Sequence, residues 1–183
     1  TVLARYLRDV QASGIKTSVD AVSNTTADYA ATVIPALRYC DNVIINEIEC
    51  TGIWGLSPYR QDGSPDAKAI RAAMEKTAGE GVRERVIVHC KSAGFCLDVS
   101  SGTFTVVPSL RIPEKEIRGS VGAGDAFCAG SLYGIYTGMP TKELLEFASA
   151  AAACNLFGAD SVSGMRAYDG IKALPKKYGR MEL

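Results

Sequence analysis

What most constrains this chain is the alternation of short apolar runs with stretches of helical period. A first helix, with apolar positions Leu3, Tyr6, Leu7 and Val10, closes at Gly14, and a short strand, "IKTSVDA", follows. A helix near 26–39, interrupted by Pro35, then leads into the buried strand "NVIINE". The loop "GLSPYRQDGSP" is rich in turn formers, and Pro65 opens a helix over 66–78 with Ile70, Ala73 and Met74 on one face. "ERVIVHC" reads as a strand, "GFCLD" and "TFTVV" as an antiparallel hairpin across "VSSG", and helices over about 123–137 and 141–157 finish the core. Strands that alternate with helices pair in parallel, because the crossover needs a helix's length of chain. The expected fold is therefore α/β: a mainly parallel sheet between helical layers with a late antiparallel edge, in a single domain spanning 1–183.

Size and charge narrow the partners. At 183 residues and 47% hydrophobic composition the chain can bury a sizeable core. Twenty basic residues balance twenty acidic ones, so no global field recruits nucleic acid or an anionic membrane. No apolar run approaches the roughly 18 residues of a membrane span, and "TVLARYLRDV" lacks the shape of a signal peptide. These features predict a cytoplasmic protein with a small-molecule partner. None of the six cysteines falls in a C-x-x-C spacing, and the single histidine, His89, has no second histidine with which to build a zinc site. Reduced, mostly buried thiols are expected. Because Thr1 is not a methionine and helical spacing begins at once, the chain is expected to start inside something longer.

In such sheets ligands sit beyond the carboxyl ends of the strands, which here carry "NEIEC" and "CKSAG". The third wall of such a site is "RGSVGAGDAF", residues 118–127. Gly122 and Gly124 let the backbone turn tightly and approach a ligand, and the helix that follows aims unpaired N–H groups outward. Asp125 falls in its first turn, either as a dipole partner or as a functional carboxylate. A dinucleotide fingerprint is excluded, since Phe127 stands at the third glycine position, and neither a phosphate-binding G-x-x-x-x-G-K-[ST] nor a G-x-S-x-G elbow is present.

Four stretches, in order and spacing, resemble the ribokinase-like (PfkB) carbohydrate kinases. "SVGAGDAFCAG" resembles the family's D-T-x-G-A-G-D-x-F, and "NEIE", Asn46 to Glu49, its N-x-x-E after a strand. "VIVHCKSAG" is similar to the strand and turn T-x-G-x-x-G, and "FASAAAACNLFGA" to the alanine-rich helix with its Gly-Ala. The similarity runs through essentially the whole chain, as about the C-terminal three-fifths of a typical member. It implies a three-layer ribokinase-like fold truncated at its N-terminus, without the region that carries the sugar contacts and lid.

The resemblance also implies ATP-dependent phosphoryl transfer to a hydroxyl of a sugar or nucleoside. Asp125 would be the general base and the backbone of Gly122, Ala123 and Gly124 the anion hole. Lys91, Gly94, Ser149 and Gly158 would contact the nucleotide, and Asn46 and Glu49 would hold Mg2+ and its waters. A homodimer of the full-length protein is compatible with the resemblance, and the fragment alone is expected to be inactive. Asn46 followed by Glu49 is equally a capping-box pattern, and Lys91 either supplies a cation or points to solvent. Gly119 replaces an Asp that the family links with a monovalent cation, which argues against potassium activation. These departures leave a second reading open, a non-catalytic nucleotide-binding or regulatory protein on the same fold.

Overall fold

The computed structural model describes residues 1–21 and 29–183. Strands β1 (Ser18–Val19), β2 (Asn42–Asn46), β3 (Arg85–His89), β4 (Ala93–Asp98) and β5 (Phe104–Pro108) form one mixed sheet, in that order. β1 runs parallel to β2, with Ser18 opposite Asn42 and Val19 opposite Val43. Val43, Ile44 and Ile45 of β2 and Val86, Ile87 and Val88 of β3 are all buried, as strands covered on both faces by helices require. The expected hairpin turn closes between β4 and β5, where Asp98 N–H donates to the Thr103 carbonyl (3.0 Å).

The chain divides into two compact units, one of Thr1–Val88 with Cys96–Phe104, the other of His89–Phe95 with Thr105–Leu183. The first unit holds helices α1 (Val2–Ala12), α2 (Tyr29–Leu37), α3 (Glu47–Gly52) and α4 (Ala67–Gly79). α2 is the described part of the helix expected near 26–39, whose first three positions lie outside the described residues. Asp66 caps α4 by accepting from Lys68 N–H (3.0 Å) and Ala69 N–H (3.1 Å), and Ile70, Ala73 and Met74 form its buried face as expected.

The second unit is built from α5 (Ala123–Tyr136), α6 (Thr141–Asn155) and α7 (Tyr168–Lys177). α5 and α6 cross closely because Gly130 has no side chain, and a β-carbon there would lie 2.8 Å from the Ala148 Cα. Ile171, Leu174 and Tyr178 at the α7 end pack into the core made by Phe147, Ala151 and Cys154 of α6. The sequence carries no periodic sign of α7, and of α3 only its Asn46–Glu49 capping pattern. α3 is too short for a periodic signal, and α7 contains Gly170 and Pro175, both helix breakers by propensity. Packing of Ile171 and Leu174 offsets that cost.

Candidate active site

The glycine stretch forms a tight left-handed start to α5. Gly122, the residue before the helix, has φ +80°, and a β-carbon on it would collide with Ser161. The first helical hydrogen bond runs from Ala126 N–H to the Gly122 carbonyl (2.9 Å), and Ala123 N–H donates back to Ser120 (3.2 Å). No side chain caps the helix, so among the described residues the N–H groups of Gly124 and Asp125 have no acceptor. Asp125 lies exposed in this first turn. A bare helix start of this kind offers donors to an anion and a carboxylate beside them.

The turn is tied to the end of α6. Asn155, fully buried, donates from Nδ2 to the Val121 carbonyl (2.7 Å), and Arg118 N–H donates to the Leu156 carbonyl (2.8 Å). Asn155 was not among the residues singled out in the sequence. Its signal was there, as one amide at the end of the alanine run "AAAACN".

His89, at the end of β3, packs under the same turn. A β-carbon on Gly124 would lie 3.2 Å from the His89 Cε1, and the imidazole stacks obliquely on Phe127 at 5.0 Å between ring centroids. Burial pushes its pKa down from 6.5 to about 4, with the charge of Asp125 opposing. At neutral pH His89 is therefore an uncharged ring under the helix start. Gly94 of β4 fits below Phe127, whose Cζ would be 3.0 Å from a β-carbon there.

His89, Gly124 and Phe127 border a cavity of about 490 Å3, lined also by Lys91, Ala123 and Ser149, among others. That volume suits a small molecule of nucleotide size. The Ser149 hydroxyl, on α6, is buried yet has no hydrogen-bond partner among the described residues. Such an orphan asks for a partner that the protein itself does not provide.

In the other unit, Asn46 and Glu49 form a reciprocal cap on α3. Glu49 N–H donates to Asn46 Oδ1 (2.8 Å), and Asn46 N–H donates to Glu49 Oε2 (3.0 Å). All six cysteines are free, and burial pushes the Cys40, Cys50 and Cys96 thiols up to about 12, which makes them inert packing.

Residues 3–165 match the pfkB family carbohydrate kinase pattern. The chain belongs to this family. It is 33% identical over 109 residues to an adenosine kinase of Schizosaccharomyces pombe, a stretch covering 58% of this chain and 30% of that protein. Its fold resembles Arabidopsis thaliana ribokinase complexed with ribose and ATP, with a TM-score of 0.75 at 21% identity, covering 96% of this chain and 52% of that one. An E. coli protein described as a ribokinase II, in complex with ATP and Mg2+, matches with a TM-score of 0.69 at 20% identity, covering 93% of this chain and 52% of that one. The chain thus spans about half the length of these solved relatives and less of the curated one.

Within the family's pattern, the structure brings Ala123, Gly124, Lys91 and Ser149 to one cavity, with Asp125 next to Gly124 in the chain. Gly94 sits beneath Phe127 and not on the cavity wall. Gly158 lies behind the turn, its carbonyl 3.1 Å from where a Gly119 β-carbon would stand. Among the described residues no helix is long and apolar enough to cross a membrane.

Proposed function

We propose that this chain is the nucleotide-binding part of an ATP-dependent kinase that phosphorylates a hydroxyl of a sugar or nucleoside. The observation that carries the reading is Asp125, an exposed carboxylate in the first turn of an uncapped helix with acceptor-free N–H groups beside it. ATP would occupy the neighbouring cavity, with Ser149 turned to the nucleotide and Lys91, exposed at its rim, near the phosphates. The ATP held by two solved relatives supports ATP as the nucleotide.

In the transfer, Asp125 takes the proton of the acceptor hydroxyl as its oxygen bonds to the γ-phosphorus. The bond from that phosphorus to the β,γ-bridging oxygen breaks, and ADP leaves. The helix-start N–H groups stabilise the charge on the transferring group, in a reaction that is mostly positioning and electrostatics. Magnesium, when bound, neutralises charge on the phosphate oxygens. The oxygen donors of Asn46 and Glu49 suit that hard cation, but their cap already engages Asn46 Oδ1 and Glu49 Oε2. The pair would help to hold the ion and its waters.

The test is Asp125→Asn in the full-length protein, assayed for phosphoryl transfer to a panel of sugars and nucleosides. A general base contributes about 10²- to 10⁴-fold, so kcat should fall by that order with ATP affinity and melting temperature nearly unchanged. A near-normal kcat with a lowered melting temperature would reduce Asp125 to a dipole partner, worth about 0.3–1 kcal/mol. The 183-residue chain alone should transfer slowly at best, because the reaction needs an acceptor positioned and closed off from water.

A further inference from the structure

A second cavity, of about 500 Å3, lies elsewhere in the same unit, and its lining is mostly polar. It collects Lys115, Arg118 and Arg166 from two stretches of chain, together with Ser163 and Phe157. None of the three cations has a carboxylate within ion-pair distance among the described residues. The one acidic residue of the lining, Glu116, is engaged elsewhere: it accepts from the Tyr178 hydroxyl and pairs with Lys177 (3.5 Å). In a chain of zero net charge, three cations against the single carboxylate of Glu116 leave this concavity with a local positive field.

Arg166 is also held in place. Its guanidinium lies over the Phe157 ring, 5.0 Å from the centroid, so the planar fork is oriented before any ligand arrives. Arg118 is anchored through its backbone N–H to the Leu156 carbonyl. Two arginines and a lysine around a polar cavity supply the charge and donors that suit a dianionic phosphoryl group, which accepts several charge-assisted hydrogen bonds at once. A volume of about 500 Å3 has room for a sugar as well as the phosphoryl group.

We propose that this cavity is a binding site for a small phosphomonoester of sugar size, separate from the cavity at Ser149. The proposal stands on charge and shape alone and does not depend on the kinase reading. Its position gives binding a structural consequence. Arg118 immediately precedes Gly119, and Arg166 follows the segment whose Ser161 packs on Gly122. A ligand bridging Arg118 and Arg166 therefore clamps together the two segments that support the α5 turn.

The test is calorimetric titration of the 183-residue chain with ribose 5-phosphate, ribose and inorganic phosphate, at constant ionic strength. Saturable binding of ribose 5-phosphate is expected, with ribose silent and inorganic phosphate weaker. Arg118→Gln and Arg166→Lys should each weaken ribose 5-phosphate binding about tenfold or more, since each removes the paired donors of a guanidinium. Arg166→Lys keeps the charge and the aliphatic stem, which lies beside Gly170, and so protects the fold. Lys172→Ala, at a cation outside this cavity, should leave the affinity unchanged. Binding that survives both arginine substitutions, or a response that never saturates, would overturn the site. Equal affinity for inorganic phosphate would overturn the sugar-sized ligand.

Discussion

Gly122 is turned onto Ser161 so closely that a β-carbon there would lie 2.6 Å from the Ser161 Cβ and 2.7 Å from its Cα. The same residue holds φ at +80°, a conformation that costs an L-residue about 1–2 kcal/mol. Two separate constraints therefore require glycine. Gly122→Ala should lose roughly 2 kcal/mol or more, which for a chain this size lowers the melting temperature by about 5 °C or more. An unchanged melting curve would contradict the packing of the turn on Ser161.

His89 sets an acid limit on stability. Its pKa is about 4 in the fold and ordinary, near 6.5, in the unfolded chain. Between those values the unfolded state binds a proton that the folded state does not, so the stability His89 contributes is full above about pH 6.5 and is lost as pH falls toward 4. The loss is at most about 3 kcal/mol. Asp98, Asp160 and Glu116, whose carboxyls are held low by hydrogen bonds, lose their contribution at lower pH still. Urea unfolding at pH 7 and pH 4.5 should therefore show a smaller acid loss in His89→Gln than in the unaltered protein. Equal losses in both would remove His89 as the cause.

At Gly119 the relevant neighbours are two carbonyl oxygens. A β-carbon would stand 3.1 Å from that of Gly158 and 3.2 Å from that of Ala159. Without a carboxylate at this position the strongest local attraction for a bound cation is missing, and exchanging potassium for tetramethylammonium should change the proposed phosphoryl transfer of the full-length protein little. Gly119→Asp would face a carboxylate toward those carbonyls, an arrangement that repels unless a cation lies between them. Potassium chloride should then raise the melting temperature of Gly119→Asp more than that of the unaltered protein. A many-fold potassium activation of phosphoryl transfer by the unaltered full-length protein would refute this account.

Ser149→Ala separates folding from ligand binding. Removing a buried hydroxyl that has no partner should leave stability unchanged or slightly raised, because no hydrogen bond is lost. If the nucleotide supplies the missing partner, its affinity should drop about 2- to 10-fold, the worth of one neutral hydrogen bond. Titration with MgATP reads the second effect and thermal melting the first. Unaltered MgATP affinity would take Ser149 out of the nucleotide site.

The sequence alone determined what local chemistry controls. The buried runs of β2 and β3, the apolar face of α4, and the extents of α5 and α6 follow from side-chain period and turn formers within a few neighbours. The same holds for the Gly122–Asp125 helix start, where glycine geometry and the bare N–H groups are properties of adjacent residues. The Asn46–Glu49 pattern was legible as a cap, and a cap is what the structure contains.

Tertiary structure decided the rest, because it brought together residues whose separation in the chain hides the relationship. His89 is an ordinary imidazole until β3 delivers it beneath Gly124, and burial there makes it a neutral ring. Ser149 becomes a candidate ligand group only when α6 brings it to the wall of the cavity with its hydroxyl buried and unpartnered among the described residues. α7 forms despite Gly170 and Pro175 because Ile171 and Leu174 find a core that propensity does not register. Lys115, Arg118 and Arg166 are scattered surface charges in a neutral sequence, and they become one positive cavity only because Arg118 and the loop after α6 are hydrogen-bonded and packed side by side.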